Sequence, residues 1–259
     1  MKLSIITPSF NNGKFLECNI KSVMDQDYQN VEHIIYDNKS TDETHDIIKR
    51  YKNLQVYVEK DFGQSDALNK ALSRCTGDII GWLNADDYYS SNIFNYIIEL
   101  FKNNKNLDAI YGNFNLVDEN ANFIRTVYPQ KFMPKLLPFR CYIPSTSFFF
   151  KSSEIKKHNI IFDKELYYRM DQDFYCKMIQ KKLAFYKIDK TFGNMTVHRN
   201  AKTAFKLNNN SQIKFNNEGI DIINKYSSIV LPKNYVGIFL FSTIMYLLDL
   251  WSFCYKKLT

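Results

Sequence analysis

Glycine is scarce, with eight copies in 259 residues. No GxGxxG follows an apolar run and no GxxxxGK[ST] occurs. Both phosphate-cradling turns need glycine so that the backbone can approach the phosphates, so neither a dinucleotide fold of that type nor a P-loop is expected. The five cysteines (Cys18, Cys75, Cys141, Cys176 and Cys254) are odd in number and widely spaced, and no CxxC occurs. That argues against a disulfide framework or a zinc site and for a reducing compartment. The start, MKLSIITPSFNN, has too short an apolar run for a signal peptide, and Pro8 interrupts it. Net charge is +7, yet no Lys/Arg run exceeds two residues, so no nucleic-acid partner is expected. Repeats and long low-complexity linkers are also missing. What remains is a globular composition, 45% hydrophobic with 21 Phe and 18 Tyr, long enough for one large α/β domain.

Four short apolar runs stand out: KLSIIT (2–7), VEHIIY (31–36), LQVYVE (54–59) and DIIGWL (78–83). Helical patterns lie between them, over roughly 14–25, 42–52 and 65–74. This alternation predicts βαβ units and a mostly parallel sheet. In open α/β sheets the ligand binds beyond the carboxyl ends of the strands. Residues 7–12, 37–42, 61–66 and 84–87 should therefore surround one crevice.

Those loops read TPSFNN, DNKSTD, DFGQSD and NADD. Taken alone, STDET is a helix cap and Asp86–Asp87 a solvated turn. Three of the four strand ends carry carboxylates, which weakens both plain readings. A hard divalent cation takes oxygen ligands and can bridge them to a diphosphate, offsetting the repulsion of adjacent acids. Mn²⁺ or Mg²⁺ is the expected cofactor. Past residue 105, LDAIYGNFNLVD and NFIRTVYP predict a strand pair, TSFFFK (146–151) another strand, and MDQDFYCKMIQ a helix with Phe174, Met178 and Ile179 facing the core. Asp171 or Asp173 at its start would serve as a cap.

The segments SIITPSFNNGKFLECNIKSVMDQDYQNVEHIIYDNKSTDET, GQSDALNKALSRCTGDIIGWLNADD, YRMDQDF and HRNAKT, in that order, resemble a family-2 glycosyltransferase of the GT-A fold, of the bacterial surface-polysaccharide type. The resemblance spans positions 3–203 and implies roles for individual residues. Thr7, Pro8 and Ser9 would wrap the nucleotide. Asp37 would contact the base, with Asn38 and Lys39 departing from the family pattern. Asp66 and Asn69 would line the nucleotide and sugar. NADD holds the place of the DxD metal motif, with Asn84 where the first acid usually stands. Asp86 would contact ribose and metal, with Asp87 beside it. His198 would complete the metal shell or touch the diphosphate, and Arg199 and Lys202 would supply positive charge. Asp171 would be the general base, in competition with the plain capping role.

The implied activity is inverting transfer from a nucleotide-sugar, UDP-sugar favoured, to a hydroxyl of a glycan or lipid-linked acceptor. The alternative is a catalytically silent nucleotide- or glycan-binding subunit of an assembly complex. Residues 1–205 form the expected GT-A unit, with 1–104 as its nucleotide half and 105–205 as its acceptor half. A helical extension, 206–259, follows. Within it, 235–257 carries no charge from Tyr235 to Leu248. Ser242, Thr243, Asp249 and Ser252 make spanning marginal. A core helix and an interfacial helix, with Trp251 and Tyr255 at headgroup level and Lys256–Lys257 at its end, remain open. The expected location is cytoplasmic, at the inner face of the cell membrane.

Overall fold

The computed structural model describes residues 1–199, 201–202 and 209–258. The first part alternates as the pattern implies: β1 (Leu3–Ser9), α1 (Gly13–Met24), β2 (Val31–Asp37), α2 (Thr44–Ile48), β3 (Leu54–Val58), α3 (Gln64–Arg74) and β4 (Ile79–Trp82). Then come β5 (Tyr88–Tyr89), α4 (Phe94–Asn103), β6 (Ala109–Val117), β7 (Phe123–Val127), a 3-10 turn (Ser145–Ser147), β8 (Phe148–Lys151), α5 (Ser152–His158), α6 (Met170–Gln180), β9 (Phe185–Thr196), α7 (Asn209–Tyr226) and α8 (Tyr235–Leu258). The helix expected over 42–52 is only five residues long. Asp42 is drawn out of it because its carboxylate accepts the N–H groups of Gly13 and Thr44.

One sheet carries the strands in the order β3-β2-β1-β4-β8-β6-β9-β5, with β7 against β6. β1 to β4 are parallel to one another. β8 enters antiparallel between β4 and β6, and β6 and β9 then pair in parallel. This is the expected α/β architecture with a mostly parallel sheet. Both faces are covered, which explains the unbroken apolar runs. Leu3, Ile5 and Ile79 pack with α4, whereas Ile6, Ile34, Ile80 and Trp82 pack with α3 and α6. The three consecutive phenylalanines of β8 follow the same logic. Phe148 and Phe150 enter one core, Phe149 enters the other, and all are fully buried.

α7 and α8 pack on each other through Ile220, Ile223 and Phe241, and Phe139 joins them from the main unit. Among the described residues no helix is long and apolar enough to cross a membrane. The outer side of α8 exposes Val236, Phe239, Leu240, Tyr246 and Leu247. The side chains of Trp251, Tyr255, Lys256 and Lys257 lie outside the described residues.

Candidate functional site

The parallel register brings the four polar strand ends together. Ser9 stands beside Asp37 across β1 and β2, and the Asn38 N–H donates to the Ser9 carbonyl at 2.9 Å. The Asn38 side chain accepts the Asp61 N–H at 2.9 Å. Asn19 of α1 donates to the carbonyls of Asn84 and Asp87 at 2.8 and 2.9 Å, fixing the loop after β4. The turn before α3 depends on Gly63, whose φ of +112° lies where side chains are rarely tolerated.

Within the crevice the expected residues divide sharply. Asp37 is fully buried, accepts the N–H and hydroxyl of Ser40, and faces His45 Nε2 at 2.8 Å. Thr7 turns into the sheet, with its Oγ1 2.9 Å from His33 Nε2, so its hydroxyl is not available to a ligand. Burial presses the His33 pKa down to about 3. Pro8 is buried within β1, and Ser9 closes that strand with a buried hydroxyl lacking a hydrogen-bond partner among the described residues. Asp66 is held by Lys164 at 2.5 Å, Lys70 at 3.5 Å and the Phe62 N–H. Burial alone would raise its pKa, but those partners outweigh it and the net shift is downward.

Asn69 and Asn84 take different parts from those the resemblance implies. Asn69 clasps the backbone of Phe162, donating to its carbonyl at 2.9 Å and accepting its N–H at 2.8 Å. Its amide is spent on holding the 160s loop against α3. The Asn84 side-chain oxygen already accepts Gln64 Nε2 and Trp82 Nε1, both at 2.8 Å, and so is not open to a metal. Lys202 donates to Gln64 Oε1 at 3.0 Å and lies 4.1 Å over the Tyr167 ring. Burial lowers the Lys202 pKa to about 8.

The expected metal set of Asp86, Asp87 and His198 does not converge. Asp86 meets His198 Nε2 at 3.0 Å, and Phe15 of α1 stacks at a tilt on the imidazole. Asp87, beside it in the chain, points the other way. It accepts the Thr146 hydroxyl at 2.6 Å and the Thr196 N–H at 3.0 Å. Burial, then the charge of Asp86, pushes its pKa well above the ordinary carboxylate range. Asp87 thus fastens the loop to β9 and the 3-10 turn. Among the described residues no three His, Cys, Asp or Glu side chains are placed to hold a metal together. Of that set Asp86 and His198 stay paired with each other at the crevice, and Asp86 alone offers the hard carboxylate oxygen that a Mg²⁺ or Mn²⁺ ion shared with substrate phosphates would take.

Asp171 sits in the first turn of α6, at the wall of a cavity of about 320 Å³ shared with Phe114, Tyr128, Tyr142, Ser145 and Met195. It does not cap the helix from the flanking position, which is Arg169. One oxygen accepts the Gln172 N–H at 2.7 Å and the other lies 3.5 Å from the Cys141 thiol. Burial raises its pKa, against the pull of Gln172, Cys141, Arg169 and Lys202. Asp173 faces away, bound by Lys225, Tyr226 and Lys177. Sequence reasoning missed Thr146, Cys141 and Glu218, because their partners lie 30 to 59 residues away.

The chain is 38% identical over 95 residues to the putative teichuronic acid biosynthesis glycosyltransferase TuaG of Bacillus subtilis, covering 35% of this chain and 38% of that protein. It is 30% identical over 132 residues to the Escherichia coli UDP-Glc:alpha-D-GlcNAc-diphosphoundecaprenol beta-1,3-glucosyltransferase WfgD, covering 50% of this chain and 52% of that one. The matched segments span 19% to 58% of the length of such curated relatives. In fold, it resembles S. aureus TarS 1-349 in complex with UDP, with a TM-score of 0.66 over 88% of this chain and 67% of that chain at 20% identity. The GT-A architecture is therefore shared. The family model Glycosyl transferase family 2 matches residues 4–184, from β1 to the end of the α6 region, and the chain belongs to that family.

Proposed function

We propose that the chain is an inverting glycosyltransferase. It would move a sugar from a UDP-sugar to a hydroxyl of a glycan or lipid-linked acceptor in cell-surface polysaccharide synthesis. The observation that carries this reading is Asp171: a carboxyl group made more basic by burial, at the wall of an aromatic-lined cavity next to the strand-end crevice. Aromatic faces suit sugar rings, and a general base must reach the attacking hydroxyl. WfgD, by its name, uses UDP-Glc and a lipid-diphosphate acceptor, and TarS was solved with UDP.

In this reading residues 1–104 bind the donor and 105–205 bind the acceptor. Ser9, Asp37 and Asp86 serve the nucleotide, and Lys202 lies toward the diphosphate. Asp86 and His198 would hold Mn²⁺ or Mg²⁺, which when bound neutralises the leaving diphosphate. Asp171 accepts the proton of the acceptor hydroxyl as that oxygen attacks the anomeric carbon from the face opposite the diphosphate. Asp171→Asn should keep nucleotide affinity and melting temperature while lowering transfer by ~10²–10⁴. Turnover near wild type would reject the assignment.

The filled amide oxygen of Asn84, where an acid is usual, favours the second reading, a silent binding subunit. UDP binding without release of UDP from any sugar donor would support it. We also propose peripheral membrane contact through 235–257 at the inner face of the cell membrane. The exposed apolar side of α8 supports it.

A further inference from the structure

α6 begins without a cap of its own, since Arg169 makes no capping bond. The N–H groups leading into it are taken by a carboxylate from elsewhere. Glu218 of α7, itself buried, accepts the N–H of Tyr167 at 3.0 Å, of Tyr168 at 2.7 Å and of Arg169 at 3.0 Å. Arg169 answers from the other side. Its Nε donates to the Phe215 carbonyl at 3.0 Å, and its guanidinium lies 4.0 Å over the Phe215 ring. It also donates to Gln172, whose amide reaches the carbonyls of Leu137 and Pro138 in the segment that continues into the cavity wall.

We infer that Glu218, outside the family-matched residues, is a positioning residue for Asp171: it fixes the backbone entering α6 and balances the cations around that carboxyl group. The inference rests on Asp171 being the base. A carboxylate in the first turn of a helix is stabilised in its ionised form by the helix N-terminus, which weakens it as a base. Arg169 and Lys202 act in the same direction. Glu218 opposes all three, because its charge also faces Arg169 and Lys202. Among the described residues, Cys141 across the cavity wall and Tyr175 and Cys176 on α6 also face Asp171 and are neutral at ordinary pH, and Arg140 is a further cation lining the same cavity.

The test is the titration of Asp171, followed by ¹³C NMR of carboxyl-labelled aspartate, its signal identified by loss in Asp171→Asn. In Glu218→Gln the midpoint should fall by about half a unit to one unit, the size of a modest change in charge environment. Asp221→Asn, exposed on the same helix and paired with Lys233, should leave it unmoved. An unmoved midpoint in a folded Glu218→Gln overturns the inference. If that variant does not fold, Glu218→Asp decides: it keeps the charge but withdraws the reach, so amide exchange at Tyr168 must accelerate. Unchanged exchange there overturns the inference as well. Failure of the underlying reading looks different: Asp171→Asn then keeps its turnover, whatever the titration does.

Discussion

Asp173→Asn should destabilise the protein without touching nucleotide binding. The Asp173 side chain is 1% exposed, with Lys177 Nζ at 2.7 Å, Lys225 Nζ at 2.9 Å and the Tyr226 hydroxyl at 2.6 Å. Lys225 and Tyr226 belong to α7, so this one carboxylate ties the C-terminal helices to α6. Breaking a buried ion pair costs about 3–5 kcal/mol. Here the lysines are 23% and 48% exposed and can rehydrate. Tyr226 can still donate to an amide oxygen. The loss should therefore be lower, roughly 2–3 kcal/mol. For a chain of this size that is a fall in melting temperature of roughly 5–10 °C. Burial would raise the Asp173 pKa, but its three partners outweigh it and lower the pKa. Its contribution is thus present above the ordinary carboxylate range and lost as pH falls. The difference between wild type and variant, measured by circular dichroism melting, should be full at pH 7 and shrink below about pH 4. A shift under about 2 °C at pH 7 would refute the docking role, with ~1 kcal/mol as the dividing line.

Three further outcomes are expected. Glu32 accepts Lys2, Ser4, Gln55 and Thr76, and the bonds from Lys2, Ser4 and Thr76 overcome burial to bring its pKa from 4.5 down to about 2. With its side chain 4% exposed, Glu32→Gln should cost up to roughly 3 kcal/mol at neutral pH. Urea midpoints of the two proteins should converge as pH falls from about 4.5 toward 2; a gap independent of pH would refute this. Asp86→Ala should abolish Mn²⁺-dependent stabilisation by UDP, whereas Asp87→Asn should lower the melting temperature yet retain that stabilisation, as a thermal-shift assay with and without Mn²⁺ will read. Phe239→Asp together with Leu247→Asp should reduce co-sedimentation with anionic vesicles without changing the melting temperature; unchanged co-sedimentation removes α8 as the contact.

Legibility in the sequence follows distance along the chain. β1 to β4 and their helices were readable because each strand and helix buries its own apolar pattern locally. β9 was not foreseen: FYKIDKTFGNMT mixes lysines with aromatics, and it becomes a strand because β6 and β5 pair with it on either side. β5 is two residues long and α4 went unmarked, although four of its apolar residues are fully packed. In the site, residue types were legible but directions were not. Asp86 and Asp87 are neighbours in sequence, and only the backbone turn decides that one meets His198 and the other Thr146. Asp171 and Asp173 pose the same problem on a helix, where two residues' separation rotates a side chain to nearly the opposite side. The carboxylate at the start of α6 could not be read at all, because it arrives from Glu218 about 50 residues later.

The insertion of β8 has a consequence for how the chain can be divided. Ile79 to Gly81 find their second neighbour only in Phe149 to Lys151, some 70 residues later. During synthesis the first hundred residues can assemble three strands against β4, but its far edge stays open. That edge is apolar on both faces, with unsatisfied N–H and C=O groups in a row, the situation that invites pairing between molecules. A fragment ending near residue 104 should therefore be sticky rather than a working nucleotide-binding half. Closing the edge requires the residues that also supply the Thr146 contact to Asp87. The stretches proposed to bind donor and acceptor are then one cooperative unit, whose weakest moment is the interval before β8 is made.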